Sequence, residues 1–209
     1  MDYIKLNDNG EPEEYHIDNF RRENPNTSFP ANISDDLYAE WGVFKVKKTP
    51  RPNFNALTHK LVLSVELVDG SWTQVWAVED LPNELAKSLL LESAAGTRYD
   101  IETNGLQWTD ANGQMWHIAT DLDSQLRLNS TVSAINNNLR TNASNWKCQK
   151  IVDGEEVIAY RMTTNDEILE WSQLVYEHVQ KCFEAEANAA AKIFAGDFTT
   201  SFEAEYDLL

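Results

Sequence analysis

The sequence has little positive charge. Its 209 residues include 17 lysines and arginines against 34 aspartates and glutamates, which gives a formal net charge of −17. A surface this acidic repels phosphate groups, so it argues against nucleic-acid binding and against attachment to anionic membranes. We therefore expect neither nucleic acid nor a membrane among its partners, whereas a protein partner is compatible with this charge.

Cysteine and long apolar runs are also scarce. Cys148 and Cys182 are the only cysteines, and we expect both to be free thiols rather than a disulfide or a metal pair. No stretch approaches the roughly 18 consecutive apolar residues of a membrane-spanning helix. The first residues lack a basic segment followed by an apolar one, so we expect no secretory signal. With 42% hydrophobic residues, the chain can still bury a core in one or two domains.

The N-terminal part of the sequence predicts a small β-rich module. Asn9-Gly10 and Asp69-Gly70 are typical of hairpin turns, and the second pair lies between predicted strands at residues 60–67 and 72–78. A helix with one apolar face is predicted over residues 80–93. We assign residues 1–95 to this module, and we expect the whole chain to have an α+β fold.

The second predicted module, residues 96–196, combines helices with a β-hairpin. We expect a short strand at residues 99–103, a turn at residues 110–113, and a helix that Asp121 caps and that runs to about residue 142. The apolar residues assigned to the buried face of this helix are Leu122, Leu126, Val132, Ile135 and Leu139. A hairpin around residues 153–154 follows, and then a long helix that Thr164 and Glu167 open as a capping box and that runs to Ala195.

Residue patterns that carry catalysis are missing from the sequence. There is no G-x-S-x-G, H-E-x-x-H, P-loop or C-x-x-C motif, and the four histidines are far apart. His117 is close in sequence to Asp121 and Asp123, a grouping that can bind a metal or transfer protons. We prefer the interpretation in which Asp121 caps a helix. We therefore expect no catalytic residue, no metal and no cofactor.

Aromatic side chains are the best candidates for contacts with a partner. Trp72 and Trp76 lie in the predicted hairpin, where they either bind a protein or a sugar or complete a core. Aromatic residues also recur every four positions near the C-terminus, a spacing that would align them on one face of a helix. We interpret residues 197–209 as an acidic–aromatic docking tail, with a frayed terminus as the alternative. The candidate partner-binding residues are Phe194, Phe198, Phe202, Tyr206, Trp72 and Trp76.

Several short motifs, taken in order, resemble a known family. In the C-terminal half these motifs are Asp121 to Ser124 with Gln125, then Trp146, Asp153-Gly154, Thr164-x-x-Glu167, His178-Val179-Gln180 and Phe183. They resemble a C-terminal domain of unknown function that recurs in tail and tail-fibre-associated proteins of tailed bacteriophages. Upstream, Ser28-Phe29-Pro30, the segment Ser34 to Gly42, Val43, Thr49-Pro50-Arg51-Pro52, His59-Lys60 and Val68-Asp69-Gly70-Ser71-Trp72 are similar to the usual leader of such proteins. The resemblance covers about residues 28 to 195, and the sequence departs from the common pattern after Gly196.

The resemblance implies a non-enzymatic bacteriophage tail protein. Such a protein would be a tail-fibre or baseplate-associated component, or a fibre-bound assembly chaperone, and would act through protein–protein contacts. Its partners would be tail-fibre or baseplate proteins in a larger virion assembly, and it would be made in the host cytoplasm and reside in the virion tail. The alternative is a carbohydrate-binding adhesin or glycan hydrolase at the fibre tip, with exposed tryptophans beside a groove.

Overall fold

A computed structural model describes all 209 residues and divides them into two compact units, Met1–Pro82 and Asn83–Leu209. Both units combine helices with antiparallel strands, which confirms the predicted α+β class. The division lies at residue 82, whereas the sequence placed it at residue 95, inside a helix that belongs to the second unit. No helix in either unit combines the length and the apolar character needed to cross a membrane.

The first unit contains two small sheets and two short helices. Its elements are β1 (Tyr3–Leu6), β2 (Pro12–Tyr15), α1 (Asn19–Glu23), α2 (Asp35–Glu40), β3 (Val43–Lys45), β4 (His59–Val68) and β5 (Ser71–Asp80). Strand β1 lies between β2 and β3, and β4 pairs with β5 over ten residues. Both predicted hairpins are confirmed. Asp69 and Gly70 have φ values of 49° and 76°, the positive values that a two-residue turn between twisted strands requires.

Aromatic rings fill the core of the first unit. Phe20 is fully buried, and its ring centroid lies 4.7 Å from that of Tyr38 and 4.9 Å from that of Phe29. The rings meet at tilted or edge-on angles, the geometry that aromatic pairs prefer. Tyr15 and Val43 complete this cluster, so the helices α1 and α2 are held against the sheet of β1, β2 and β3.

The second unit places two hairpins in one sheet beside its helices. Its elements are α3 (Asn83–Thr103), β6 (Leu106–Thr109), β7 (Met115–Ile118), α4 (Leu122–Asn136), β8 (Ser144–Val152), β9 (Glu155–Thr163), α5 (Asn165–Phe194) and α6 (Phe202–Asp207). The strands form one antiparallel sheet in the order β6-β7-β8-β9. The strand predicted at residues 99–103 is wrong, because these residues form the last turns of α3. Five residues that alternate between apolar and polar fit a strand or a helix end equally well, and here Ile101 packs against the helical core.

Helix α5 runs the length of the second unit and contacts both of its apolar clusters. Thr164 and Glu167 form the predicted capping box, and the predicted last residue, Ala195, is the C-cap that follows Phe194. Its first half packs on the sheet and on α4, where Trp171 is the largest buried side chain. Its second half packs on α3 through small residues such as Ala185 and Ala189.

Helix α4 differs from its prediction in length and in orientation. It ends at Asn136 rather than near residue 142, and Asn138 has the positive φ of 56° that stops it. Leu122 and Leu126 are 70% and 55% exposed, whereas Leu128 is buried. Two apolar stripes lie on this helix, and the core uses the one that contains Leu128, Val132 and Ile135. The prediction of a single buried face was therefore wrong for Leu122, Leu126 and Leu139.

Candidate partner-binding surfaces

Trp72 and Trp76 pack against their own chain. The indole nitrogen of Trp76 donates a hydrogen bond of 3.3 Å to the carbonyl oxygen of Thr49, and the guanidinium of Arg51 lies 5.9 Å from its ring centroid. The ring of Trp72 lies 6.1 Å from that of Phe44. Both tryptophans are half-buried, so they contribute to the packing of the first unit. A role in contacting a partner stays a prediction.

The predicted docking tail folds back onto its own unit. Phe202 is 1% exposed and packs against the small residues of α3 and α5. The ring of Tyr206 stacks on that of Phe202 at 5.7 Å, and its hydroxyl donates to His178 Nδ1 at 3.3 Å. On the same short helix, Glu205 accepts a hydrogen bond of 2.6 Å from Lys192 Nζ. These contacts hold α6 against the helical core.

The aromatic stripe predicted for the tail does not form. The chain leaves α5 at Ala195 and turns at Gly196, whose φ is 92°, before α6 begins at Phe202. The four aromatic residues therefore lie on two helices and the turn between them. The assignment of Phe202 as a partner contact is corrected, because its ring is buried in the core. Phe194 remains 64% exposed, and Phe198 is half-buried.

A half-buried ionic network joins the sheet to the start of α5. Arg161 Nη1 donates a hydrogen bond of 2.8 Å to Asp110 Oδ2, and the Arg161 guanidinium lies 4.9 Å and 5.1 Å from the ring centroids of Trp108 and Trp116. The same guanidinium forms an ion pair with Glu167. The hydrogen bond from the Trp116 indole is the largest of the effects that lower the pKa of Asp110 to about 2, and backbone amides and Arg161 lower it further. This network stabilises the fold and leaves Asp110 fully ionised at neutral pH.

His117 and Asp121 have separate contacts. His117 Nδ1 lies 2.7 Å from Glu156 Oε1 on β9, while Asp121 accepts a hydrogen bond of 3.1 Å from the Ser124 amide at the start of α4. The predicted capping role of Asp121 is confirmed. Gly105 has a φ of 88°, and a Cβ there would lie 1.9 Å from His117 Nε2, so only glycine fits against this ring. No group of three or more His, Cys, Asp or Glu side chains comes together in a geometry suited to a metal.

A groove lies between helix α4 and strand β8. Strand β7 pairs with β8 only at Trp116↔Lys150 and His117↔Gln149, so residues 144–148 have no paired strand on that side. The space next to this free edge has a volume of about 760 Å³. Its apolar lining consists of Ile118, Leu126, Leu128, Trp146, Ile158 and Trp171.

The charge of the groove is opposite to that of the whole chain. Arg127 and Lys147 line it, neither forms a salt bridge, and no Asp or Glu side chain is part of the lining. Trp171 lines the groove as well, and its indole N–H is buried without a hydrogen-bond acceptor. Cys148 also lines the groove, and burial raises the pKa of its thiol. Sequence patterns could not identify this groove, because it depends on where β7 ends and on how far α4 stands from the sheet.

The second unit corresponds to a known protein family. A family model described as "Domain of unknown function (DUF4376)" matches residues 85–208, more than half of the chain. The chain belongs to the DUF4376 family. The match includes α6, which corrects the expectation that the sequence departs from the family pattern after Gly196. It also contains the groove and the Asp110–Arg161 network, whereas the first unit lies outside it. Comparisons with curated proteins and with solved structures give no match.

Proposed function

We propose that this protein is a non-enzymatic bacteriophage tail protein that works through protein–protein contacts in the virion tail. It is a tail-fibre or baseplate-associated component, or a fibre-bound assembly chaperone made in the host cytoplasm. Support comes from the ordered motifs of residues 28–195, which resemble those of tail-fibre-associated proteins. The DUF4376 family by itself has no assigned function.

The structural observation that carries the proposal is a group of exposed apolar side chains on the second unit. Ile158, Tyr160 and Met162 alternate along β9, so they share one face of the sheet, and all three are exposed. Leu126, on α4, is exposed as well. Exposed apolar side chains grouped in this way are typical of a surface that a protein buries against a partner.

The acidic surface is compatible with this mode of action. A net charge of −17 keeps the free chain soluble before assembly and repels other copies of it. Burial of apolar side chains then provides the binding free energy, while charge selects which partner approaches. A permanent virion component and a dissociating chaperone would use the same surface.

The test is to find the protein in the phage that encodes it. Quantitative mass spectrometry of purified virions is compared with affinity purification of the tagged chain from infected cells. A fixed copy number in virions supports a structural component. Recovery with a fibre or baseplate protein from infected cells, together with absence from virions, supports a chaperone. Absence from virions combined with no tail protein in the purified complex would reject the proposal.

A further inference from the structure

We infer that the groove between α4 and β8 binds an extended segment of a partner protein, one that carries alternating apolar side chains and carboxylates and that pairs with β8 as an added strand. The inference rests on the proposed function in so far as it names the contact through which the protein would act.

The free edge of β8 supplies the backbone part of the argument. Residues 144–148 pair with β9 on one side and have no paired strand on the other, because β7 pairs with β8 only at Gln149 and Lys150. Five residues of strand span roughly 16 Å, enough to pair with a short extended peptide. Edge strands with unpaired amides and carbonyls recruit such peptides in many recognition domains.

The side chains beside this edge define which segment fits. Leu126, Leu128 and Ile158 provide apolar lining on the helix side and the sheet side of the groove. Arg127 and Lys147 are the cations there, and neither has a carboxylate partner within the chain. Complementarity therefore favours a segment that presents carboxylates as well as apolar side chains.

Trp171 provides a probe at the wall of the groove. Its side chain belongs to the lining, and it is 2% exposed. Its indole N–H is buried without an acceptor, as is Arg161 Nε elsewhere in the same unit. The indole proton of Trp171 therefore reports a change in the groove wall when a segment binds.

The occupant is a different protein rather than a second copy of this chain. Two copies that paired through β8 would bring together two chains of net charge −17. The resulting repulsion opposes self-association at moderate ionic strength. The experiment must nevertheless distinguish pairing with a second copy from binding of another protein.

The experiment selects binders from a displayed library of random twelve-residue peptides on the full-length protein. We expect enrichment of peptides that alternate apolar residues with Asp or Glu. Leu126→Glu should weaken their binding about tenfold or more, because it adds a negative charge and removes apolar lining. Leu122→Glu is the matched control: it lies on the same helix, is more exposed and is outside the groove, so binding should stay within about twofold.

A second matched pair tests the charge, and a spectroscopic signal reports whether the groove is occupied. Lys147→Gln should lower the affinity for the enriched peptides and reduce the salt dependence of their binding. Lys150 lies on the same strand but outside the groove, so Lys150→Gln should change neither quantity. Binding should shift the Trp171 indole proton in the NMR spectrum, with the signal assigned by Trp171→Phe. In a peptide that pairs with β8, every second backbone N–H faces β8. Methylation of those nitrogens should abolish binding.

Three outcomes would overturn the inference. The first is a selection that enriches no peptide. The second is a selected peptide that binds the Leu126→Glu protein as tightly as the native protein. The third is a dimer, seen in light scattering, that the Leu126→Glu substitution dissociates. The proposed function fails separately. Peptide binding with no trace of the protein in virions or tail complexes would reject the function alone, and unchanged incorporation of the Leu126→Glu protein into tails would reject the groove alone.

Discussion

Arg161 donates a hydrogen bond of 2.8 Å to Asp110 across 51 residues of sequence. Asp110 begins the turn after β6, and Arg161 lies on β9 at the opposite edge of the sheet. The guanidinium lies over the rings of Trp108 on β6 and Trp116 on β7. This pair therefore couples two hairpins that local sequence patterns predict separately.

The first prediction concerns the pH dependence of that pair. The pKa of Asp110 falls from 3.8 to about 2, chiefly through the hydrogen bond from Trp116. A lowered pKa in the folded state means that the ionised carboxylate adds stability above about pH 4, and that this contribution is lost as the pH falls toward 2. The free-energy difference between the native protein and Asp110→Asn should therefore be constant near neutrality and shrink in that window.

Urea denaturation at stepped pH, followed by tryptophan fluorescence, measures this difference. Asp100→Asn is the control, because Asp100 is exposed on α3 and its carboxylate forms no hydrogen bond within the chain. A difference between the native protein and Asp110→Asn that does not change from pH 5 to pH 2 would contradict the assignment.

The second prediction concerns the tail. Phe202→Ala should destabilise the second unit by about 3–5 kcal/mol, because it leaves a cavity among closely packed small residues. Phe194→Ala removes the same ring from an exposed position and should change the free energy of unfolding by less than about 0.5 kcal/mol. Equal effects in chemical denaturation would show that the tail is not packed as described.

The third prediction concerns the start of α5. Thr164→Ala removes the side chain that accepts from the Glu167 amide, and it should cost about 1 kcal/mol. Thr109→Ala is the comparison, since Thr109 is exposed on β6 and its hydroxyl forms no recorded hydrogen bond. The two free energies of unfolding come from urea titrations, and an identical value for both variants would rule out a stabilising role for the cap.

The fourth prediction concerns the two thiols. Burial raises the pKa of Cys182 to about 11, and this side chain is fully enclosed, whereas Cys148 is half-buried at the groove. Since the thiolate is the reactive form, iodoacetamide at pH 8 should label Cys148 well before Cys182. Peptide mass spectrometry locates the label, and the Cys148→Ser protein should remain unlabelled until denaturant is added. Rapid labelling of that variant in buffer would contradict the enclosed position of Cys182.

The fifth prediction uses Cys148 as a probe of the groove. A bulky maleimide attached to this thiol should block the peptides selected on the native protein, because Cys148 is part of the groove lining. Fluorescence anisotropy of a labelled peptide measures the loss. The Cys148→Ser protein treated in the same way is the control and should keep its affinity, so equal loss in both would point to damage elsewhere.

Features encoded by a few neighbouring residues could be predicted well. Asp69-Gly70 fixed a turn, Asp121 capped α4, and Thr164 with Glu167 opened α5, because each depends on hydrogen bonds within one turn of chain. Residues 99–103 were assigned wrongly, since an alternation of only five residues does not distinguish a strand from the end of a helix. The buried stripe of α4 was also misassigned, because two stripes are present and only the neighbouring elements select one.

The sequence alone determined the acidic surface, the turns, the caps and the mixture of helices and strands, since these follow from composition and from contacts between near neighbours. Tertiary structure decided how the hairpins join, that Phe202 is buried against α3 and α5, and that residues 144–148 keep a free edge beside α4. Each of these depends on which distant surfaces bury the most apolar area together. No local pattern contains that information, because burial is a property of the whole assembled unit.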